Sequence, residues 1–145
     1  MSKKILITGG AGYIGSMLAT SLIKLGYTVT VVDLLKYNSN SLSHLYFFEK
    51  FKLIKEDVRN MKIMKTLIKK HDVIIPLAAL VGAPLCAKYK SLAKNTNFKA
   101  IDDIMKIISK NKKIIYLTSN SGYGVGQKNK FCDETSELNP ISLYG

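Results

Sequence analysis

Apolar residues along this chain fall into short continuous runs that alternate with longer stretches of helical spacing. The runs near 4–8, 28–32, 51–55, 72–77 and 113–118 are brief and rich in Ile, Val and Leu, and they read as strands covered on both faces. Between them, the stretches near 13–25, 40–49, 60–70 and 91–110 repeat apolar residues every three or four positions and read as amphipathic helices. In the first of these Ile14, Met17, Leu18, Ser21, Leu22 and Leu25 recur at helical spacing, and Gly26 stands where a helix C-cap is expected. Strands alternating with helices, without an internal repeat, predict right-handed βαβ crossovers. The expected fold is therefore α/β: a doubly wound parallel sheet of about five strands in the order 3-2-1-4-5, with ligand at the carboxyl ends of the strands.

The first strand empties into Thr8-Gly9-Gly10-Ala11-Gly12-Tyr13-Ile14-Gly15. Glycines at 10, 12 and 15 fit GxGxxG, and those at 9, 12 and 15 fit the overlapping GxxGxxG, so the backbone can turn tightly and come close to a pyrophosphate. A helix starting here aims its positive end at those phosphates. The second strand closes on Asp33, roughly twenty residues beyond the glycines, where a carboxylate accepts hydrogen bonds from ribose hydroxyls and repels a 2′-phosphate. Strand, glycine turn, helix, strand and acid in this order predict a dinucleotide-binding (Rossmann) fold that prefers NAD.

Other predicted strand ends carry further candidates. Asp57 and Val58 follow the third strand, where Asp57 can accept from an adenine amino group while Val58 packs on the ring; Asp57 can equally serve as an N-terminal acid of the next helix. Leu77, Ala78 and Ala79 follow the fourth, with side chains small enough for a cofactor or a neighbouring element to lie close. After the fifth comes Tyr116-Leu117-Thr118-Ser119-Asn120-Ser121-Gly122-Tyr123-Gly124, a polar segment at the mouth of the sheet.

Composition narrows the function classes. At 145 residues and 47% apolar the chain has one domain's worth of core, and residues 1–145 read as one cofactor-binding domain. The apolar stretch from Val73 to Leu85 is interrupted by Pro76, Gly82 and Pro84 and is too short to span a bilayer, and Ser-Lys-Lys leads straight into the first strand. A cytoplasmic protein without a membrane partner is expected. The net charge of +12 admits an anionic ligand or RNA, but Arg59 is the sole arginine and the lysines are spread over predicted helix faces and turns, so nucleic acid is disfavoured as a partner. Cys86 and Cys132 read as packing residues, His71 as a surface cation at a helix end, and no metal site is expected.

Together these residues make the chain resemble the extended short-chain dehydrogenase/reductase superfamily, and within it the NAD-dependent epimerase/dehydratase family acting on nucleotide sugars. The resemblance implies that Gly9, Gly12, Tyr13, Ile14 and Gly15 form the pyrophosphate loop, that Asp33 is the ribose acid, and that Asp57 and Val58 contact adenine. It implies that Leu77, Ala78 and Ala79 border the cofactor, and that Asn95 is the family's asparagine on the following helix. Ser119, four places before Tyr123, matches the catalytic serine, and Tyr144 matches the tyrosine of the YxxxK pair. Pro76 stands where many members have histidine, and Phe98-Lys99 where Gly-Thr is usual after the asparagine.

The implied reaction takes a proton from a sugar hydroxyl to the tyrosine while the nicotinamide receives hydride from the same carbon. The paired lysine would fall beyond Gly145 and the sugar-nucleotide domain lies outside the sequence, so the expectation is the NAD-binding part of such an enzyme, inactive alone. A nucleotide sugar is the substrate implied for the full-length form, and a homodimer its implied assembly. The alternative is a non-catalytic NAD-binding sensor or adaptor.

Overall fold

The computed structural model describes residues 2–37, 40–126 and 129–145. Five parallel strands, β1 (Lys4–Thr8), β2 (Thr28–Asp33), β3 (Phe51–Lys55), β4 (Val73–Pro76) and β5 (Lys113–Ile114), form one sheet in the order β3-β2-β1-β4-β5. The expected topology is the observed one. β1 lies in the middle, with Ile5 opposite both Val29 and Val73, and Ile7 opposite both Val31 and Ile75.

Period-two alternation sends neighbouring side chains of each strand into different cores. On one face Ile5, Ile7, Val29, Val31, Val73 and Ile75 pack with Ala19 and Ile23 of α1 (Tyr13–Lys24) and with Leu42 and Leu45. On the other, Leu6, Val32 and Ile74 pack with Met64 and Ile68 of α2 (Met61–Lys70) and with Ala100 and Ile104 of α5 (Ala100–Ile107). Met64, Ile68, Ile74 and Ile104 are at most 1% exposed, so truncating any one to alanine is worth about 2–5 kcal/mol, far more than any surface pair here. α1 ends as its sequence predicts: Gly26 adopts a φ of +84°, with Gly26 N–H donating to Ile23 and Tyr27 N–H to Leu22, a Schellman closure.

Three elements depart from expectation. The helix expected over 40–49 is a single 3-10 turn, Ser43–Leu45, because only Leu42 and Leu45 find a core to enter while Phe47 is left 93% exposed. The long helix expected over 91–110 is a helical stretch of α4 (Lys90–Ala93), a π-helical turn (Lys94–Lys99) and α5, preceded by α3 (Ala83–Lys88). β5 stops at Ile114 instead of 118. Lys113 N–H donates to Asp72 and Ile115 N–H to Ile74, but the next donor on the β4 side would be Pro76, which has no N–H.

His71 is not the surface cation expected from Lys69 and Lys70 beside it. It is 6% exposed, with Nδ1 donating to the Leu67 carbonyl at 2.6 Å and Nε2 2.8 Å from the Thr30 hydroxyl. A carbonyl can only accept, which puts the proton on Nδ1 and leaves Nε2 to accept from Thr30 in the neutral ring. Lys112 Nζ closes the same corner by donating to the carbonyls of Lys69 and His71. Cys86 is buried as expected, whereas Cys132 is exposed. Among the described residues no helix is long and apolar enough to cross a membrane.

Burial, reinforced by the Lys112 and Lys4 charges, lowers the His71 pKa against opposing contributions from the Leu67 carbonyl and Asp72. The unfolded chain therefore takes up a proton at higher pH than the folded one. The stability associated with neutral His71 is full above about pH 6.5 and is lost as pH falls below it. Urea unfolding is expected to show a falling midpoint from pH 7.5 to pH 5, and His71→Phe to flatten that dependence. Thr30→Val leaves Nε2 without a donor and is expected to cost about 1–3 kcal/mol at pH 7.5.

Candidate functional site

Buried between β2 and β4, β1 can release its chain only at its carboxyl end. Gly9 makes that turn with a φ of +69° while its N–H donates to Val32 at 2.8 Å. A Cβ on Gly9 would lie 2.6–2.7 Å from the backbone of Leu77 and Ala78, and one on Gly15 would lie 2.5 Å from Gly10 Cα. Both glycines are thus required by the fold itself. Gly12 differs. Its φ of −73° suits any residue, and its Cβ would meet only the Gly9 carbonyl, at 3.2 Å. The demand for glycine is weaker at 12 than at 9 or 15, although a Cβ there would crowd the Gly9 carbonyl, and the bare backbone leaves room for a group arriving from outside.

Gly12 also begins α1. No side chain caps that end, and Ser16 N–H donating to Gly12 O at 2.9 Å is the first turn's closing bond. The amides of Tyr13, Ile14 and Gly15 therefore lie at the positive end of the helix without intrahelical acceptors, an arrangement that suits phosphate oxygens. The side chains of Tyr13 and Ile14, 83% and 54% exposed, stand at the rim of this cradle.

Asp33, at the end of β2, is held from two sides. Oδ2 accepts from Ala11 N–H of the glycine turn at 2.9 Å, and Oδ1 accepts from Leu35 N–H at 2.7 Å. A carboxylate oxygen has room for a second donor, so ribose hydroxyls can still be received. Asp57 sits at the end of β3, and its carboxylate is engaged by Arg59 through Nε and Nη2 at 2.5–3.0 Å and by the Arg59 N–H at 2.9 Å. The Arg59 side-chain hydrogen bonds hold the Asp57 pKa below the usual carboxylate value and raise that of Arg59. Asn60 occupies the N-cap position of α2, so Asp57 organises the turn before the helix instead of capping it. Val58 is 5% exposed and packed in the core with Leu6 and Met64, which leaves little of its side chain for a ring to rest on.

Beyond β4, Leu77 N–H donates to Thr8 O at 2.9 Å and Ala78 N–H to Thr8 Oγ1 at 3.3 Å, which lays the Leu77-Ala78-Ala79 strip against the glycine turn. Asn97 then grips the next residue: Leu80 N–H donates to its Oδ1 and its Nδ2 donates to Leu80 O, both at 2.8 Å, while Cys86 Sγ lies 3.3 Å from the same carbonyl. Asn97 is thus the asparagine that holds the backbone just past the strip. Asn95 lines a separate cavity of about 530 Å³ with Lys90, Ser91, Lys94 and Leu143. The π-helical turn contains both asparagines.

Past β5, the Ser119 hydroxyl is 2.7 Å from that of Ser121 and accepts from Ser121 N–H at 3.3 Å. The C-terminal segment folds back on this turn, so close that a Cβ on Gly145 would lie 2.6 Å from Ser121 O. Tyr144, the residue before Gly145, is half-buried, and no hydrogen bond joins it to Ser119. Lys3, Lys4, Lys70 and Lys113 gather around a hollow of about 540 Å³ at the amino ends of the strands, opposite the glycine turn, which is less dispersed than the sequence suggested.

Comparison with known proteins agrees with this geometry. The pattern of the NAD dependent epimerase/dehydratase family matches residues 5–145. A UDP-N-acetyl-alpha-D-glucosaminuronate decarboxylase of Bacillus cytotoxicus is 35% identical over 127 residues, covering 87% of this chain and 39% of that protein. Among solved structures, a UDP-N-acetylglucosamine 4-epimerase from Methanobrevibacter ruminantium M1 superposes with a TM-score of 0.88 at 28% identity, covering 99% of this chain and 46% of the other. The UDP-Glc/GlcNAc 4-epimerase of Campylobacter jejuni gives 0.89 at 28% identity, covering 99% and 45%. The chain spans less than half the length of these relatives. With its five-stranded parallel sheet and glycine cradle, it belongs to the NAD-dependent epimerase/dehydratase family.

Proposed function

We propose that this chain is the cofactor-holding part of a nucleotide-sugar epimerase or dehydratase, and that it binds NAD across the carboxyl ends of β1, β2 and β4. The observation that supports it most is the uncapped start of α1, where Gly12 leaves the backbone bare beside the amides of Tyr13, Ile14 and Gly15. In this reading the amides of Tyr13, Ile14 and Gly15 take the pyrophosphate, Asp33 takes the adenosine ribose, and Asp57 lies at the adenine end. Leu77, Ala78 and Ala79 then border the nicotinamide half, with Asn97 fixing the backbone that follows.

When bound, NAD supplies a reversible acceptor for hydride. The chain's own contribution is to hold and move a proton: Ser119 hydrogen-bonds the reacting sugar oxygen and Tyr144 removes its proton. A phenol gives up its own proton for that task only beside a positive charge that stabilises the phenolate. The sugar-binding residues belong to the part of such enzymes that this chain does not span, so residues 1–145 are expected to bind NAD without turning over a nucleotide sugar. A cytoplasmic location and a homodimer belong to the same reading; Phe98, 72% exposed beside α5, suits a helix-to-helix contact between copies.

Calorimetry separates cofactor binding from folding. Gly12→Val is expected to lose NAD binding by at least about tenfold while its urea midpoint falls less than that of Gly9→Ala, because its Cβ crowds one carbonyl at an ordinary φ. Gly9→Ala is expected to lower the midpoint itself, since its Cβ meets backbone at a positive φ. Normal NAD binding by Gly12→Val would refute the cradle assignment. Formation of a 4-epimer from a UDP-sugar by the isolated chain would refute the division of labour.

A further inference from the structure

Leu35 is one of two non-glycine residues with positive φ among those described, at +55°, and the other, Asn129, is of a type that tolerates this conformation. Leucine has no local hydrogen bond to offer in return, so something outside its own backbone must hold it there. Two contacts do so. Its side chain is half-buried against the core cluster that contains Leu42 and Leu45, and its N–H donates to Asp33 Oδ1 at 2.7 Å. The second bond ties the unusual backbone directly to the ribose acid.

We propose that Leu35 is a positioning residue that latches the Asp33 carboxylate toward the glycine turn and thereby sets the preference for NAD over NADP. This inference rests on the reading of the site as an NAD site. With Leu35 anchored in the core, its amide fixes Oδ1, and the remaining oxygen is aimed at Ala11 N–H, 2.9 Å away. The carboxylate then cannot swing outward, and its charge stays where a 2′-phosphate would have to sit. Lys36 follows immediately on the exposed side, a cation able to meet such a phosphate once the acid turns away. Strain at Leu35 is thus coupled to a specificity choice as well as to packing.

Glycine at 35 accepts the same φ without strain but has no side chain to anchor it, so the amide that holds Asp33 is released. In Leu35→Gly the advantage of NAD over NADP, taken as a ratio of dissociation constants, is expected to fall by at least about fivefold. In the same variant without ligand, the Ala11 amide proton is expected to exchange at least about tenfold faster, because its acceptor has become mobile. Leu35→Asn, which also accepts this backbone and removes the anchor, gives the same two readouts should the glycine variant not fold. Leu35→Met keeps an apolar anchor and is expected to restore both. A ratio and an Ala11 exchange rate unchanged in the glycine or asparagine variant would overturn the latch. The exchange readout needs no cofactor, so it decides the latch even if wild type fails to bind NAD, a result that would refute the underlying assignment of the site.

Discussion

The architecture depends on one constraint: β1 is walled in by β2 and β4 on its flanks and by two apolar layers above and below, so its chain can leave only from its carboxyl end. There the backbone must reverse within the width of a strand, pass under Leu77-Ala78 and enter α1. Gly9 and Gly15 are the residues this reversal demands, and the N–H of Gly9 is spent on Val32. What the turn leaves over is the uncapped beginning of α1, facing the gap where the crossovers on either side of β1 diverge. A parallel doubly wound sheet places an anion site at this switch point without any dedicated binding residue.

Around that turn the ends of four strands are stitched to one another. Asp33 of β2 takes Ala11 of the glycine turn, Glu56 after β3 donates its N–H to Asp33, and Thr8 of β1 takes the first two amides after β4. These bonds join the separate crossover units at the end that carries the chemistry. At the opposite end the sheet is closed by His71, Thr30 and Lys112, with lysines around the hollow near Ser2. The molecule is therefore polarised, with backbone donors at one end of the sheet and ammonium groups at the other.

Much of this was legible in the residues. The strands were visible because burial on both faces forces unbroken apolar runs, and the glycine turn because close backbone approach excludes side chains. What escaped depended on contacts that sequence spacing does not encode. His71 looked like a surface cation because Lys69 and Lys70 flank it; only the packing of α2 against β2 reveals Thr30 opposite its ring. The shortened β5 follows from Pro76 in a neighbouring strand, and the broken helix near 94–99 from a π turn that periodicity averages away. Asn95 and Asn97 lie on one helical stretch, two places apart, and the structure alone shows which of them reaches Leu80. Val58 reads as a ring contact by position, yet its side chain is taken by the core.

The central claim is that an anionic dinucleotide lies on the amides at the start of α1. Titrating NAD into the labelled chain and following each backbone amide by NMR tests this directly. The largest shifts are expected at Gly10, Gly12, Tyr13, Ile14 and Gly15, with smaller ones at Leu35 and Ala78. Shifts confined to the lysine-lined hollow around Lys4 and Lys113, with the glycine turn silent, would contradict it.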